Sequence, residues 1–181
     1  MPLGSAEALA LTGMMGSGKS SVAAWLGRWL RRPVLSTDAE VVRLAGKPIA
    51  RIFAEEGEAA FRALERRVAV TVAGALVADL GGGTFCDPAG AARLLRTARV
   101  VFLDVSAAEA ARRLGGDGGV RPLASDWDRL LGKRLPLYAR AHHRIAVDGL
   151  APEAIARLIL DVVRVGGAAG PASGWLGGRG R

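Results

Sequence analysis

The sequence predicts an α/β fold in which a central parallel five-stranded sheet is covered by helices on both faces. Short apolar runs alternate with longer stretches of helical periodicity from residue 8 to residue 165, which is the pattern of strand–helix–strand crossovers that parallel strands need. A glycine-rich loop, Gly13-Met14-Met15-Gly16-Ser17-Gly18-Lys19-Ser20, joins the first apolar run to the first helical stretch. The length, 181 residues, suits one well-buried domain of this class and is short for two.

Taken in order, Ala8–Thr12 reads as the first strand, an unbroken run with no helical spacing. Lys19–Leu30 reads as a helix because Val22, Trp25, Leu26 and Trp29 recur on one face. A strand is expected at Pro33–Ser36, then helices at about Pro48–Ala54 and Glu58–Ala75, and a third strand at Leu76–Leu80. Pro88–Thr97 reads as a helix. Val100–Val105 is the next apolar run, followed by helical patterns at Ala107–Leu114 and Trp127–Ala141. Arg144–Val147 supplies the fifth strand, and Pro152–Val165 the last helix. From Gly166 onward the composition changes, with seven of the 25 glycines in the last 16 residues and no periodicity. The expected organisation is therefore a single domain over residues 1–165 and a disordered glycine-rich tail over 166–181.

Composition narrows the function classes. Half the residues are hydrophobic and 5% are aromatic, so the core must be built largely of Ala, Val and Leu. The formal charge is +8, yet the arginines are scattered and no aromatic platform accompanies them, so nucleic-acid binding is not expected. A single cysteine, Cys86, rules out an internal disulfide and fits a reducing compartment. No charged-then-apolar leader and no apolar stretch of transmembrane length is present, so the expectation is a cytoplasmic protein with no membrane partner, acting as a monomer. His142 and His143 have no partner at metal-ligand spacing and read as surface or strand-edge residues.

The glycine loop fits G-x-x-x-x-G-K-[ST], and its strand–loop–helix context is the one that phosphate-binding loops occupy. Its glycines let backbone N–H groups turn toward phosphate oxygens, and the helix N-terminus adds positive potential. Gly16, Ser17, Gly18, Lys19, Ser20 and Ser21 are the candidate ATP-binding residues. Lys19 would neutralise the β- and γ-phosphates, and the Ser20 hydroxyl would ligate Mg²⁺, the expected cofactor. The loop, Asp38 and Gly81-Gly82-Gly83 each follow a predicted strand. In such sheets ligands bind at the carboxyl ends of the strands, so all three should meet at one edge. Gly115-Gly116-Asp117-Gly118-Gly119 cannot hold regular structure, and with Arg121 beside it reads as a lid over about residues 113–126.

Taken with the loop, the chain resembles the shikimate kinase family from about Leu9 to Val163. The stretch Gly46-x-x-Ile49-x-x-Ile52-Phe53-x-x-x-Gly57-Glu58-x-x-Phe61-Arg62-x-x-Glu65 carries the resemblance, with Gly81-Gly82-Gly83, Val120-Arg121-Pro122-Leu123 and Lys133-Arg134-x-Pro136-Leu137-Tyr138 after it in the family's order. The resemblance implies a P-loop kinase fold with lid and substrate-binding segments, and transfer of the γ-phosphate of ATP to the 3-hydroxyl of shikimate, a step toward aromatic amino acids. It implies that Arg62 and Arg134 bind the shikimate carboxylate, a role suited to planar guanidinium forks. It gives Asp38 the ring hydroxyls and the proton of the attacking oxygen, and places Gly81, Gly82 and Gly83 where backbone approaches the ring. Arg121 is implied to stabilise charge on the transferring phosphate and to contact ATP, with Arg113 a weaker candidate. Lys19, Asp38 and Arg121 are thus the expected catalytic residues. Glu58 and Glu65 stand four and three positions from Arg62, at the spacing of helix ion pairs.

The chain also departs from the family. Where the family has Asp-Thr-Asp after the second strand, this chain has Ser36-Thr37-Asp38, and Val42 replaces the glutamate that usually follows. The missing first carboxylate normally helps hold Mg²⁺ through its waters; a serine hydrogen-bonds water but carries no charge. The departure leaves two alternatives to shikimate phosphorylation: a kinase of another small hydroxy acid such as gluconate, or a catalytically weakened ligand-binding paralogue.

Overall fold

Ala8, Leu9, Ala10 and Leu11 have no exposed surface. Successive residues of a strand point to opposite faces, so this first strand, β1 (Ala8–Thr12), is covered on both sides and belongs in the middle of a sheet. The computed structural model describes residues 3–115 and 124–165. It sets β1 among β2 (Val34–Ser36), β3 (Val77–Asp79), β4 (Ala98–Asp104) and β5 (His143–Ala146) in the order β2-β3-β1-β4-β5. Every neighbouring pair is parallel. The five strands expected from the sequence are present, with ends moved by one or two residues.

The helices are α1 (Lys19–Leu30), α2 (Thr37–Ala45), α3 (Ile49–Ala69), α4 (Pro88–Thr97), α5 (Ala107–Gly115), α6 (Ala124–Tyr138) and α7 (Pro152–Val165). α2 corrects the sequence reading, which marked no helix between Ser36 and Pro48. Its ends explain it: the Ser36 hydroxyl accepts a 3.3 Å hydrogen bond from the Ala39 N–H, and Gly46, at φ 67°, closes the last turn with its N–H on Val42 O. The run Ile49–Ala69 holds the two helices expected on either side of Gly57, parted by a break there at φ 78° and ψ 176°, a conformation that favours glycine. That run ends at Ala69 rather than Ala75. α6 carries Pro136 inside it and ends at Tyr138 rather than Ala141, the chain tightening there into three-residue turns in which the Arg140 N–H reaches Leu137 O and the Ala141 N–H reaches Tyr138 O.

Two apolar cores result. The larger is built on the sheet and takes in Leu26 of α1, Leu94 of α4, and Ile155 and Ile159 of α7. The smaller, Val41, Ile52, Phe61 and Val68, joins α2 to α3 and makes them a helical arm beside the end of β2. The expected lid falls largely on residues outside those described, as do Arg121 and the tail at 166–181. Among the described residues no helix is long and apolar enough to cross a membrane. His142 Nδ1 accepts a 3.0 Å hydrogen bond from the Val100 N–H at the start of β4, next to the edge strand β5. Burial and the nearby Arg99 lower its pKa, in keeping with a neutral ring acting as acceptor.

Candidate active site

The segments that follow β1, β2 and β3 meet at one edge of the sheet around a pocket of about 1200 Å³. The loop after β1 turns at Gly13 (φ 149°), Gly16 (φ 80°) and Gly18 (φ 84°), and α1 begins at Lys19. At Gly16 a side chain is also excluded by space, since a Cβ would stand 2.9 Å from Ala110. Lys19 Nζ arches over the loop and donates to Gly13 O at 3.0 Å and Met14 O at 3.1 Å. Burial lowers its pKa, while Asp79 and Asp38 act in the opposite direction and favour the ammonium. Gly16, Gly18, Lys19, Ser20 and Ser21 line the pocket. Ser17, also expected there, is fully buried within the loop and does not line the pocket. Ser20 Oγ donates to Asp79 Oδ2, at the end of β3, at 2.5 Å.

The three glycines after β3 each leave room for one charged side chain. A Cβ at Gly81 would fall on Asp38 Oδ1, one at Gly82 would stand 3.0 Å from Arg134 Nη1, and one at Gly83 would fall on Arg62 Nη1. Asp38, Arg62 and Arg134 therefore converge over a surface with no side chains of its own, beside the glycine loop. From below, the buried Tyr138 hydroxyl donates to Gly82 O at 2.7 Å, while its ring stacks on Phe102. Phe53 and Phe61, 4.7 Å apart, form the adjoining apolar wall.

Arg62 donates from Nε at 3.2 Å and from Nη2 at 3.0 Å to the exposed Glu58, and is positioned from the other side by a buried network. Its Nη1 donates to Glu65 Oε2 at 2.5 Å, and Thr84 Oγ1 donates to Glu65 Oε1 at 3.0 Å. Thr84 Oγ1 lies 3.3 Å from Thr37 Oγ1, which accepts from the Gly81 N–H at 2.7 Å. Glu65, Thr84 and Thr37 are all buried, so the pair spaced three positions apart on α3 is part of the site's wall rather than a solvated surface bridge. Among the described residues no carboxylate forms an ion pair with Arg134. Loss of water, then Glu65 and Asp79, push the Asp38 pKa up, and Lys19 pulls the other way.

Arg113, the weaker of the two arginine candidates, lines the pocket beside the glycine loop. It donates to Glu109 on α5, to Ser17 O at 3.2 Å in the glycine loop, and to Val147 O at 2.6 Å and Leu150 O at 3.2 Å after β5. With its guanidinium so engaged it staples α5, the loop and the start of α7 together. Arg121 lies outside the described residues. Sequence reasoning missed Asp79 altogether and took Glu65 only as a surface partner.

The parallel sheet, the glycine loop leading into α1 and the cleft at the strand ends define a P-loop kinase. A gluconokinase from Sinorhizobium meliloti, 19% identical with a TM-score of 0.56 over 87% of this chain and 91% of its own, shares that fold. The narrower likeness lies elsewhere. The family model described as shikimate kinase matches residues 15–164. A shikimate kinase from Limosilactobacillus fermentum is 44% identical over 167 residues, covering 87% of this chain and 95% of the relative. A shikimate kinase from Acinetobacter baumannii in complex with shikimate superimposes with a TM-score of 0.80 at 32% identity, over 87% of this chain and 92% of that one. The chain belongs to the shikimate kinase family.

Proposed function

We propose that this chain transfers the γ-phosphate of ATP to the 3-hydroxyl of shikimate. The observation that carries the reading is the convergence of Asp38, Arg62 and Arg134 over the three glycines, at the mouth of the phosphate loop. A small hydroxylated acid needs two things from such a site: a planar cationic fork for its carboxylate and an acceptor for its hydroxyls. Arg62 and Arg134 supply the first. Arg62 is held in place by Glu65, and Arg134, with no carboxylate partner among the described residues, gains one when the acid binds. Asp38 supplies the second. Its raised pKa makes its carboxylate a stronger base than an ordinary aspartate, suited to taking the proton of the attacking hydroxyl.

At the other end of the cleft, the N–H groups of the loop and Lys19 take the phosphates of ATP. Lys19 then follows charge onto the γ-phosphoryl oxygens as the bond to ADP lengthens. Arg121 is assigned to the same charge from the segment outside the described residues. The Ser20 hydroxyl, at the pocket surface among oxygen donors, fits a hard cation that keeps most of its shell as phosphate and water, so Ser20 would hold Mg²⁺. When bound, that ion neutralises β- and γ-phosphate charge. Every group named comes from one chain, so a monomer suffices; the reading is of a cytoplasmic enzyme acting on small molecules, with neither nucleic acid nor a membrane as partner.

Release of ADP, followed with shikimate, quinate and gluconate in turn, tests the reading. Turnover with shikimate is expected. Turnover with gluconate alone would overturn it, and ATP binding without turnover of any of the three would make the chain a ligand-binding paralogue.

A further inference from the structure

The carboxylate missing from the end of β2 has a counterpart one strand over. Ser36, which stands where the family has an aspartate, is the register partner of Asp79 on β3. Adjacent strands lie about 4.8 Å apart, so a carboxylate at either position reaches the same part of the cleft. Ser36 itself is committed elsewhere, since its hydroxyl caps α2 through the Ala39 N–H. Asp79 is only 8% exposed, yet it lines the pocket, and its Oδ2 accepts the 2.5 Å hydrogen bond from Ser20 Oγ. A hydroxyl has one hydrogen and two lone pairs. Donation to Asp79 therefore leaves the Ser20 oxygen free to ligate a cation while the carboxylate stays beside it. Among the described residues no lysine or arginine forms a direct ion pair with Asp79; Lys19 is near enough to feel its charge but directs its ammonium to Gly13 O and Met14 O, so the side of the carboxylate next to Ser20 is open to a second cation.

We propose that in this chain the magnesium-shell carboxylate has moved from the end of β2 to the end of β3, so that Asp79 and Ser20 together hold the Mg²⁺ of bound nucleotide. The inference rests on the reading of the cleft as a Mg²⁺–ATP site. It turns Ser36 from a lost function into one half of an exchange between register partners.

The test uses Mn²⁺ as a spectroscopically visible substitute for Mg²⁺, titrated into the full chain saturated with a non-hydrolysable ATP analogue. Analogue affinity is measured separately in chelator. Asp79→Asn should weaken Mn²⁺ binding on the order of tenfold or more, the usual cost of removing a group that supports a metal ligand, with analogue affinity in chelator unchanged. Adding Ser36→Asp to that variant should recover most of the loss. Unaltered Mn²⁺ affinity in Asp79→Asn overturns the proposal. So does an equal loss of analogue affinity in chelator, because Asp79 would then only prop the loop. If Asp79→Asn does not fold, the exchanged pair Ser36→Asp with Asp79→Ser carries the test at constant charge. Mn²⁺ affinity within about threefold of the original supports the relocation, since a carboxylate again faces the ion, and its loss overturns it. A different phosphate acceptor would leave all these titrations unchanged. A chain that bound no nucleotide would show no analogue-dependent Mn²⁺ binding even unmutated, which refutes the parent reading and the proposal with it.

Discussion

Asp38 can accept a proton only as the carboxylate, and its surroundings raise its pKa above the ordinary 3.8. Turnover at saturating substrate should therefore fall as pH drops through a midpoint above 3.8. Asp38→Asn should lower kcat by roughly 10²–10⁴ and abolish that limb. Glu65 is one of the two carboxylates that raise Asp38, so Glu65→Gln should move the limb to lower pH. The rate profiles of the three proteins check this, and a limb that does not move in Glu65→Gln would mean that another group titrates. Arg62→Lys keeps the charge but loses the fork, and should raise KM for shikimate about tenfold or more, because a charge-assisted hydrogen bond contributes about 1.5–3 kcal/mol. KM for ATP should hold, and equal rises for both substrates would make Arg62 a structural residue.

At the scale of elements, the turn after β3 separates binding from stability. Gly83→Ala would press a Cβ onto the Arg62 guanidinium, so shikimate KM should rise while ATP KM is unchanged. Gly132, on the exposed side of α6, has nothing within 4 Å of an added Cβ. Gly132→Ala should therefore stabilise the protein by about 1 kcal/mol through helix propensity, raising Tm by roughly 2–4 °C for a chain of this size, with activity untouched. The strands, α1 and the glycine loop were legible because each is written locally, as an apolar run, a helical stripe or a motif. α2 was not, because its nine residues bury only Thr37 and Val41 and leave little periodic signal, although Ser36 and Gly46 stood at its ends as cap signals. Asp79 sits inside an apolar run that reads simply as strand. What it does follows from standing opposite Ser36 and next to Ser20, and a strand order of β2-β3-β1 cannot be read from spacing along the chain. Glu65 likewise carries the mark of a surface ion pair, and only the packing of Thr84 and Thr37 over it shows that it is interior.

For the molecule as a whole, the +8 charge has a local expression. The pocket is lined by Lys19, Arg62, Arg112, Arg113 and Arg134 against Asp38, Glu65 and Asp79, and both proposed substrates are anions. A cleft with an excess of one sign concentrates ligands of the other and raises their rate of encounter, an effect that salt removes. The screening length falls from about 30 Å at 0.01 M to about 3 Å at 1 M, shorter than the distance over which the cleft would draw a substrate in. kcat/KM for both substrates should therefore fall as potassium chloride is raised across that range, while kcat, set by contacts already closed, changes little. Arg112 lies at the pocket wall, with its side chain 69% exposed and paired to Glu109. Arg112→Ala should flatten the salt dependence of kcat/KM for ATP without altering kcat. A kcat/KM indifferent to salt would show that the charge excess serves contact within the site and nothing beyond it.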